Sequence, residues 1–312
     1  MSEVAHASEL AETDAPMTVG IVGLGLIGGS FARAYRAVGW RVLACDLNTE
    51  TMDAARVETV SGILDDDSLG VCDLVILAAY PRACWEWLEA HVAQLGELSA
   101  RPEGGPVVID SAGVKRRICD EAFPLAREYG FAFSGAHTMA GKEISGFAHA
   151  RADLFRGAPM VLVPPALPDS ERLDLLDRVH TLLAPCGFGF FSVTTPEVHD
   201  RVIAFTSQLA HVVSNAYVKS PTAQEHHGFS AGSYRDLTRV AHLNPAMWAE
   251  LMCDDAENLA DELDTLIGNL TMYRDALRAQ DQGRMQQLLA EGDRIKRALD
   301  DTNKSQGCDT HA

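Results

Sequence analysis

Short apolar runs alternate with amphipathic stretches from Thr18 to about Val193. The runs are TVGIVG, RVLACD, LVILAAY, PVVIDS, FAFSGA, PMVLVP and FGFFSV. Between them lie segments such as SFARAYRAVG and SERLDLLDRVHTLL, whose apolar residues recur at helical spacing. Strands that are apolar on both faces and joined by helices are typical of a mostly parallel sheet covered on both sides. The pattern predicts about seven strands.

The strand pattern stops after Thr195, and the rest of the chain is predicted to be helical. Thr194 and Glu197 have the spacing of a capping box, and Pro196 fits the first turn of the helix that follows. A second long helix is predicted to start at Asn244 and to run through AMWAELMCDDAENLADELDTLIGNLTMYRDALRAQ. Its apolar stripe is wide, which favours dimerisation through this part of the chain.

These elements predict an N-terminal doubly wound α/β domain of the Rossmann type, followed by an all-helical dimerisation domain. The expected divisions are a disordered lead-in over 1–16, the sheet domain over 17–194, the helical domain over 195–300 and a disordered tail over 301–312.

Composition narrows the partners. The net charge of −18 argues against nucleic acid, because binding phosphates needs a basic surface. No segment has the unbroken apolar length of a membrane span, and the acidic start lacks the features of a signal peptide. The seven cysteines are scattered without a CxxC pair, which indicates reduced thiols in the cytoplasm and no zinc site. We therefore expect a cytoplasmic protein that acts on a small-molecule substrate.

The stretch VGIVGLGLIGGSFARAYRAVGW contains six glycines and spans the turn between the first strand and the first helix. Gly23, Gly25 and Gly28 have the spacing of a dinucleotide-binding fingerprint in the context that this motif requires. The N–H groups at the start of the helix would face the phosphates. The backbone of Leu24, Leu26 and Ile27 completes the predicted phosphate cradle.

Asp46 ends the second strand, 18 residues after Gly28. A carboxylate there accepts hydrogen bonds from both ribose hydroxyls and repels a 2′-phosphate, so NAD is favoured over NADP. Ala79, Tyr80 and Gly113 follow neighbouring strands and are predicted to contribute to the same cofactor site.

A nicotinamide enzyme also needs a proton acceptor near the carbon that loses hydride. His137 is the only histidine at a predicted strand end on this edge, and it opens the loop GAHTMAGKEISG. Ser111, at the end of another strand, is the second catalytic candidate.

The helical part contains a second group of polar residues in HHGFSAGSYRDLTRVAHLNPAMW. Arg235, Asp236 and Arg239 share a helix face, which fits either a solvated ion pair or an arginine that grips a substrate carboxylate. His199 and His211 repeat at four-residue steps with Ser207 between them, a pattern that favours polar groups at a domain interface over a metal site.

The chain resembles the prephenate dehydrogenase family, which includes arogenate and cyclohexadienyl dehydrogenases. The resemblance rests on GIVGLGLIGGSFA, VVIDSAGVK, GAHTMAGKEISGFAHARADLFRGAPMVLVP, HDRVIAFTSQLAH and SYRDLTRVAHLNPAMW, in the family's order over residues 18 to 275. It implies NAD-dependent oxidative decarboxylation of prephenate to 4-hydroxyphenylpyruvate, in the synthesis of tyrosine. It also implies that His137 accepts a hydrogen bond from the ring C4 hydroxyl and that Arg239 holds a substrate carboxylate. The residues implied to line the same pocket are Arg235, Asp236, Trp248, Lys142, Glu143 and Gln208.

Three positions depart from the family pattern. Thr138 stands where the family usually has Pro after the catalytic histidine, Gly113 aligns with the family's active-site Ser, and Gln208 replaces the first His of SHLPH. These changes leave open arogenate, or an amino-substituted prephenate, as the substrate. A β-hydroxy acid dehydrogenase and a silent NAD-binding module are further alternatives, but the first long helix of the second domain has no suitably placed lysine, and His137, Asp236 and Arg239 are present.

Overall fold

An eight-stranded sheet organises the first part of the chain. The computed structural model describes residues 16–102, 104–142, 144–225, 228–229 and 231–305. Residues 1–15 of the expected lead-in and 306–312 of the expected tail lie outside them. The strands are β1 Thr18–Val22, β2 Arg41–Cys45, β3 Gly62–Ile63, β4 Leu74–Leu77, β5 Val107–Asp110, β6 Ala132–Thr138, β7 Pro159–Val163 and β8 Phe190–Val193.

The strand order is β3-β2-β1-β4-β5-β6-β7-β8, and all neighbours are parallel except β6 and β7. The mostly parallel sheet is as predicted. The expected count of seven is one short of the strands found in the described residues, because β3 is only two residues long. A strand of that length shows no periodicity, and it is identified only by its pairing with Leu43 and Ala44 of β2.

Helices cover both faces of the sheet. The helices of the described residues are α1 Leu26–Ala37, α2 Thr49–Glu58, α3 Asp66–Leu69, α4 Pro81–Ser99, α5 Arg116–Tyr129, α6 Asp169–Leu183, α7 Pro196–Ile203, α8 Ala210–Tyr217, α9 Gly232–Thr238, α10 Pro245–Asp254, α11 Ala256–Arg278 and α12 Gln282–Ser305. Alternate residues of β4 enter opposite cores: Ile76 packs with Phe31 of α1, whereas Val75 packs with Leu88 of α4. Burial on both faces explains why the strand sequences lack polar alternation.

The first helix after the sheet differs in detail from its prediction. Its N-cap is Thr195, not Thr194, and the Thr195 hydroxyl accepts from the Val198 N–H at 3.4 Å. A π-helical segment, Ala204–Leu209, lies between α7 and α8. Because a π turn has i→i+5 bonds, it shifts the helical register between His199 and His211.

The second long helix begins at Asn244 as predicted, because the Asn244 side chain accepts from the N–H groups of Ala246 and Met247. It is interrupted at Asp255, so α10 and α11 replace the single predicted helix. Near the C-terminus, α12 continues to Ser305, past the boundary expected at residue 300.

The chain divides into two compact units, the first ending at Ala256 and the second beginning at Glu257. The helices from α7 to α10 therefore belong with the sheet. Within the described ranges, no helix has the length and apolar character needed to cross a membrane.

Candidate active site

The glycine-rich turn lies where the strand order reverses, between β1 and β4. Gly23 has a φ of +89°, and a Cβ there would meet the backbone of Ala79 at 2.9 Å. A Cβ on Gly28 would lie 1.9 Å from the Gly23 carbonyl oxygen. Both positions therefore require glycine, the first for its conformation and the second for the close approach of α1 to the turn.

Gly25 has a different role, because no atom lies within 4 Å of the position its Cβ would occupy. Gly25 is the N-cap of α1, and the first turn of this helix has neither a side-chain cap nor an acidic residue. The side chains of Leu24 and Leu26 are buried and that of Ile27 is half-buried, so the backbone is what this turn offers to a ligand. Open space beside uncapped N–H groups fits a pyrophosphate.

The Asp46 carboxylate stands beside this turn. Its Oδ2 accepts from the Leu24 N–H at 2.6 Å and its Oδ1 from the Asn48 N–H at 2.8 Å. These bonds hold the carboxylate just after β2 and against the glycine-rich turn, which contains Leu24. The cradle and the carboxylate together fit the pyrophosphate and ribose of a dinucleotide.

The ends of β4 and β5 meet at the same edge of the sheet. Tyr80 is 48% exposed, and its hydroxyl accepts from the Asn244 side chain at 3.1 Å. The Ser111 hydroxyl donates to the Leu77 carbonyl oxygen at 3.2 Å, so it is engaged with the end of β4. The N-cap of α10 is thus placed over the edge where the predicted catalytic residues lie.

His137, the penultimate residue of β6, lies on this edge with its side chain partly buried. Its Nδ1 lies 2.9 Å from Nε2 of His199, the fourth residue of α7. Its Nε2 lies 4.0 Å from the position that a Cβ on Gly113 would occupy, and Leu251 of α10 lies 3.4 Å from that position. One ring nitrogen is therefore used by His199, and the other faces Gly113.

Asp200 lies behind the histidine pair and is fully buried. One of its oxygens accepts from the Lys115 N–H at 2.7 Å and lies 2.7 Å from His199 Nδ1. The other accepts from the Arg116 N–H at 2.8 Å. The carboxylate thus joins the loop after β5 to the start of α7.

A buried ion pair joins β5 to the loop that follows it. The Lys115 ammonium bonds the Asp110 carboxylate, and both side chains are fully buried. The second Asp110 oxygen accepts from the N–H of Ala136, the residue before His137, at 3.1 Å. The pair therefore fixes the backbone that carries the histidine.

The pKa of His137 lies well below its ordinary value, because burial penalises the imidazolium and because His199 and the Lys115 ammonium add to that effect. Burial also lowers the pKa of His199, although the hydrogen bond with Asp200 opposes this shift. Both rings are therefore neutral near neutral pH. A neutral imidazole at a strand end has the property required of a proton acceptor.

The loop after β6 is anchored on α1. A Cβ on Gly29 would meet the Phe147 ring at 2.7 Å, and the Ser30 hydroxyl accepts from the Arg151 N–H at 3.0 Å. Arg33 donates to the Ala150 carbonyl oxygen at 2.8 Å. The helix that begins at the phosphate cradle thus also holds the loop that starts beside His137.

In the helical segment, α9 carries Arg235 and Asp236, and Arg239 follows directly; all three are exposed. His211 of α8 donates from Nδ1 to the Val240 carbonyl oxygen at 2.9 Å, and its ring centroid lies 4.0 Å from that of Trp248. The structure therefore brings the end of α9 together with α8 and Trp248.

Three further predicted residues have other settings. Lys142 is exposed in the loop after β6, and Glu143 lies outside the described residues. Gln208 is buried in the π-helical segment, where its amide nitrogen donates to Asp255 at 3.3 Å. Its amide oxygen has no hydrogen-bond partner among the described residues.

The sequence did not identify His199, Asp200, Lys115 or Asp110 as members of the site. A weak signal was present in the adjacent His and Asp at the start of α7, and in the acidic and basic residues that flank the loop after β5. Neither pattern indicates a partner, because the contacts join residues far apart in the chain.

Comparison with known proteins gives a consistent result. Residues 31–187 match the family model described as prephenate dehydrogenase, nucleotide-binding domain, and residues 195–291 match that described as prephenate dehydrogenase, dimerization domain. A prephenate dehydrogenase from Bacillus subtilis is 30% identical over 281 residues, which cover 85% of this chain and 71% of that protein.

Two solved structures agree over nearly the whole chain. One is a prephenate dehydrogenase from A. aeolicus in complex with hydroxyphenyl propionate and NAD+, with a TM-score of 0.73, 25% identity and coverage of 92% of this chain and 99% of that one. The other is the Synechocystis arogenate dehydrogenase, with a TM-score of 0.69, 27% identity and coverage of 90% and 100%. The predicted fold class, a doubly wound α/β domain followed by helices, is confirmed.

Proposed function

The chain belongs to the prephenate dehydrogenase family, and from this premise we propose that it catalyses the NAD-dependent oxidative decarboxylation of prephenate to 4-hydroxyphenylpyruvate. The observation that carries the proposal is the neutral His137, held at the carboxyl edge of the sheet that also presents the phosphate cradle. Ligands of doubly wound sheets bind at this edge, near the reversal of strand order.

NAD, when bound at Gly23, Gly25, Gly28 and Asp46, supplies the acceptor for the hydride that leaves C4 of the substrate ring. The remaining chemistry falls to the protein. His137 Nε2 accepts the proton of the C4 hydroxyl as the C4–H bond breaks, so that C4 becomes a carbonyl carbon. Loss of the ring carboxylate as carbon dioxide then makes the ring aromatic and the reaction effectively irreversible.

Prephenate carries two carboxylates, whereas the chain carries a net charge of −18. Binding therefore needs local cations. Arg239 is the candidate for a bidentate grip on one carboxylate, with Arg235, Asp236 and Trp248 nearby on the same segment. Tyr80 and Gly113 would border the nicotinamide end of the cofactor.

Two parts of the chain would have different roles in this reaction. Residues 17–194 would form the NAD-binding domain, and 195–300 would complete the substrate site and form a homodimer. The match of residues 195–291 to a dimerization domain supports the homodimer. Equilibrium sedimentation of the full chain tests it, and a monomer at micromolar concentration would contradict it.

The deciding experiment supplies the purified full chain and NAD with prephenate and with arogenate in separate assays, following NADH absorbance. We expect turnover of prephenate, and near-complete loss of it in His137→Asn. Turnover of arogenate alone would replace the proposed substrate with the amino-acid analogue. Turnover of neither would overturn the proposal.

A further inference from the structure

We propose that His199 and Asp200 form a relay behind His137, which holds the His137 proton on Nδ1 and leaves Nε2 as a hydrogen-bond acceptor. The relay rests on the proposed function for the reaction it serves, but not for its existence. His199 and Asp200 act through His137, because they contact His137 and its supporting loop and only His137 contacts the substrate.

The relay starts from the charge of Asp200. Its two oxygens accept the backbone N–H groups of Lys115 and Arg116 at 2.7 and 2.8 Å, and the Arg116 guanidinium lies 3.7 Å away. Each of these neighbours is a hydrogen-bond donor or a cation. A buried carboxyl that receives only donors is held in its ionised form and cannot itself donate.

The ionised Asp200 determines the tautomers of His199 and then of His137. His199 Nδ1 lies 2.7 Å from an ionised oxygen of Asp200, so this nitrogen must carry a proton. In a neutral His199, Nε2 then has a lone pair, and it faces His137 Nδ1 at 2.9 Å. His137 Nδ1 must therefore donate, and the lone pair of a neutral His137 is left on Nε2.

The opposite arrangement is unfavourable. If His199 donated from Nε2 while neutral, the lone pair on its Nδ1 would face the Asp200 carboxylate at hydrogen-bond distance. His137 would then carry its proton on Nε2, where it could not accept one from a substrate hydroxyl. The relay thus excludes the tautomer that cannot take up the proton.

The charged groups around the two rings indicate where a proton from the substrate comes to rest. His137 faces His199 and the Lys115 ammonium, both of which disfavour a positive charge on it. His199 also feels Lys115, but it borders Asp200 and lies near Asp110, which favour the charge. Arg116 of α5 and Asp255, the residue after α10, lie 3.5 Å apart and add a further charged pair to these surroundings.

The proton balance is simple. The hydroxyl proton moves to His137 Nε2 while the His137 Nδ1 proton moves to His199 Nε2, and hydride leaves for NAD. His137 ends neutral and His199 ends as an imidazolium beside Asp200. One positive charge is created on the protein, next to a buried carboxylate.

The direct test is nitrogen NMR of histidine-labelled protein, which distinguishes protonated from unprotonated ring nitrogens. His137→Asn identifies the His137 signals. In the wild type at neutral pH we expect His137 with Nδ1 protonated and Nε2 bare, the reverse of the form that free neutral histidine prefers. In His199→Leu, which has no acceptor, we expect His137 to return to the form protonated on Nε2.

Kinetics supply the second readout. We expect His199→Leu to lower kcat by roughly 100-fold or more, because general-base catalysis contributes about that much, and to leave KM within about threefold. His199→Gln can present an amide oxygen to His137 Nδ1 and an amide N–H to Asp200, so it should keep the tautomer. Because the amide cannot take up the proton, its kcat should lie between those of the wild type and His199→Leu. His180→Leu on α6, an exposed histidine outside the site, is the matched control and should match wild type.

The outcomes separate the two proposals. An active enzyme whose His137 carries its proton on Nε2 would overturn the relay and leave the reaction standing. The expected tautomer in a protein inactive on both prephenate and arogenate would overturn the reaction and support the relay. A His137 spectrum unchanged in folded His199→Leu would also overturn the relay, and if that variant does not fold, the wild-type and His199→Gln spectra decide.

Discussion

The Lys115 ammonium bonds the Asp110 carboxylate, with both side chains fully removed from water. Asp110 also accepts the N–H groups of Ala112 at 2.9 Å and Ala136 at 3.1 Å, so the pair joins β5, its loop and β6. The backbone before His137 thus depends on a salt bridge that contacts no solvent. Removing one partner leaves the other charge buried alone, which costs far more than the net contribution of the pair.

We therefore expect Lys115→Met to lower the free energy of unfolding by about 3–5 kcal/mol. Lys219→Met, at an exposed lysine, should change it by less than about 0.5 kcal/mol. Urea unfolding of the three proteins measures both values. A loss below about 1 kcal/mol for Lys115→Met would mean that Asp110 does not hold a charge in the folded protein.

The Asp46 carboxylate should set the cofactor preference. A 2′-phosphate placed beside it would bring like charges together, which costs several kcal/mol. We expect kcat/KM for NAD to exceed that for NADP by at least about tenfold, and Asp46→Ser to narrow this ratio. Arg56, which lines the same depression, lies 3.7 Å from Asp53. Equal use of both cofactors by the wild type would show that Arg56 receives the phosphate.

The space in front of His137 should limit the size of the side chain at position 113, where the chain has glycine. A Cβ there would lie 3.4 Å from Leu251, an ordinary contact, and 4.0 Å from His137 Nε2. We expect Gly113→Ala to keep most of the activity, whereas Gly113→Val should lower kcat/KM by roughly tenfold or more because its methyl groups enter the approach to Nε2. Thermal unfolding of both variants controls for stability, and full activity of Gly113→Val would place the substrate elsewhere.

The sequence predicted those parts of the site that depend on local geometry. Gly23 and Gly28 follow from steric limits inside one turn, and Asp46 from its place at the end of the next strand. His199 was recognised only as a polar residue of a long helix. Its partner His137 lies 62 residues away, and the π-helical segment that alters the register downstream has no signature in the pattern. Tertiary contacts of this kind need the assembled fold.

Arg239 should act on substrate binding more than on the chemical step. Removing a charged partner of a carboxylate costs about 1.5–3 kcal/mol, which corresponds to a rise in KM of roughly 10- to 150-fold for Arg239→Ala. Arg239→Lys keeps the charge but loses the bidentate geometry, so its KM should lie between that of the wild type and that of Arg239→Ala. If kcat falls as steeply as kcat/KM in Arg239→Ala, the arginine binds the substrate only in the transition state and not in the ground state.

Both histidines of the pair should make the protein less stable in acid. Their pKa values are lowered from about 6.5 in the folded chain, chiefly by burial. Below pH 6.5 the unfolded chain therefore binds protons that the folded chain does not, and the free energy of unfolding falls as the pH decreases. Urea unfolding between pH 7.5 and 5 (about the range over which free histidine titrates) should show this slope in the wild type and a shallower one in His199→Gln. Since catalysis also needs neutral rings, kcat should hold to a pH below the ordinary histidine pKa before it declines, and a decline centred at or above that value would contradict the burial of His137.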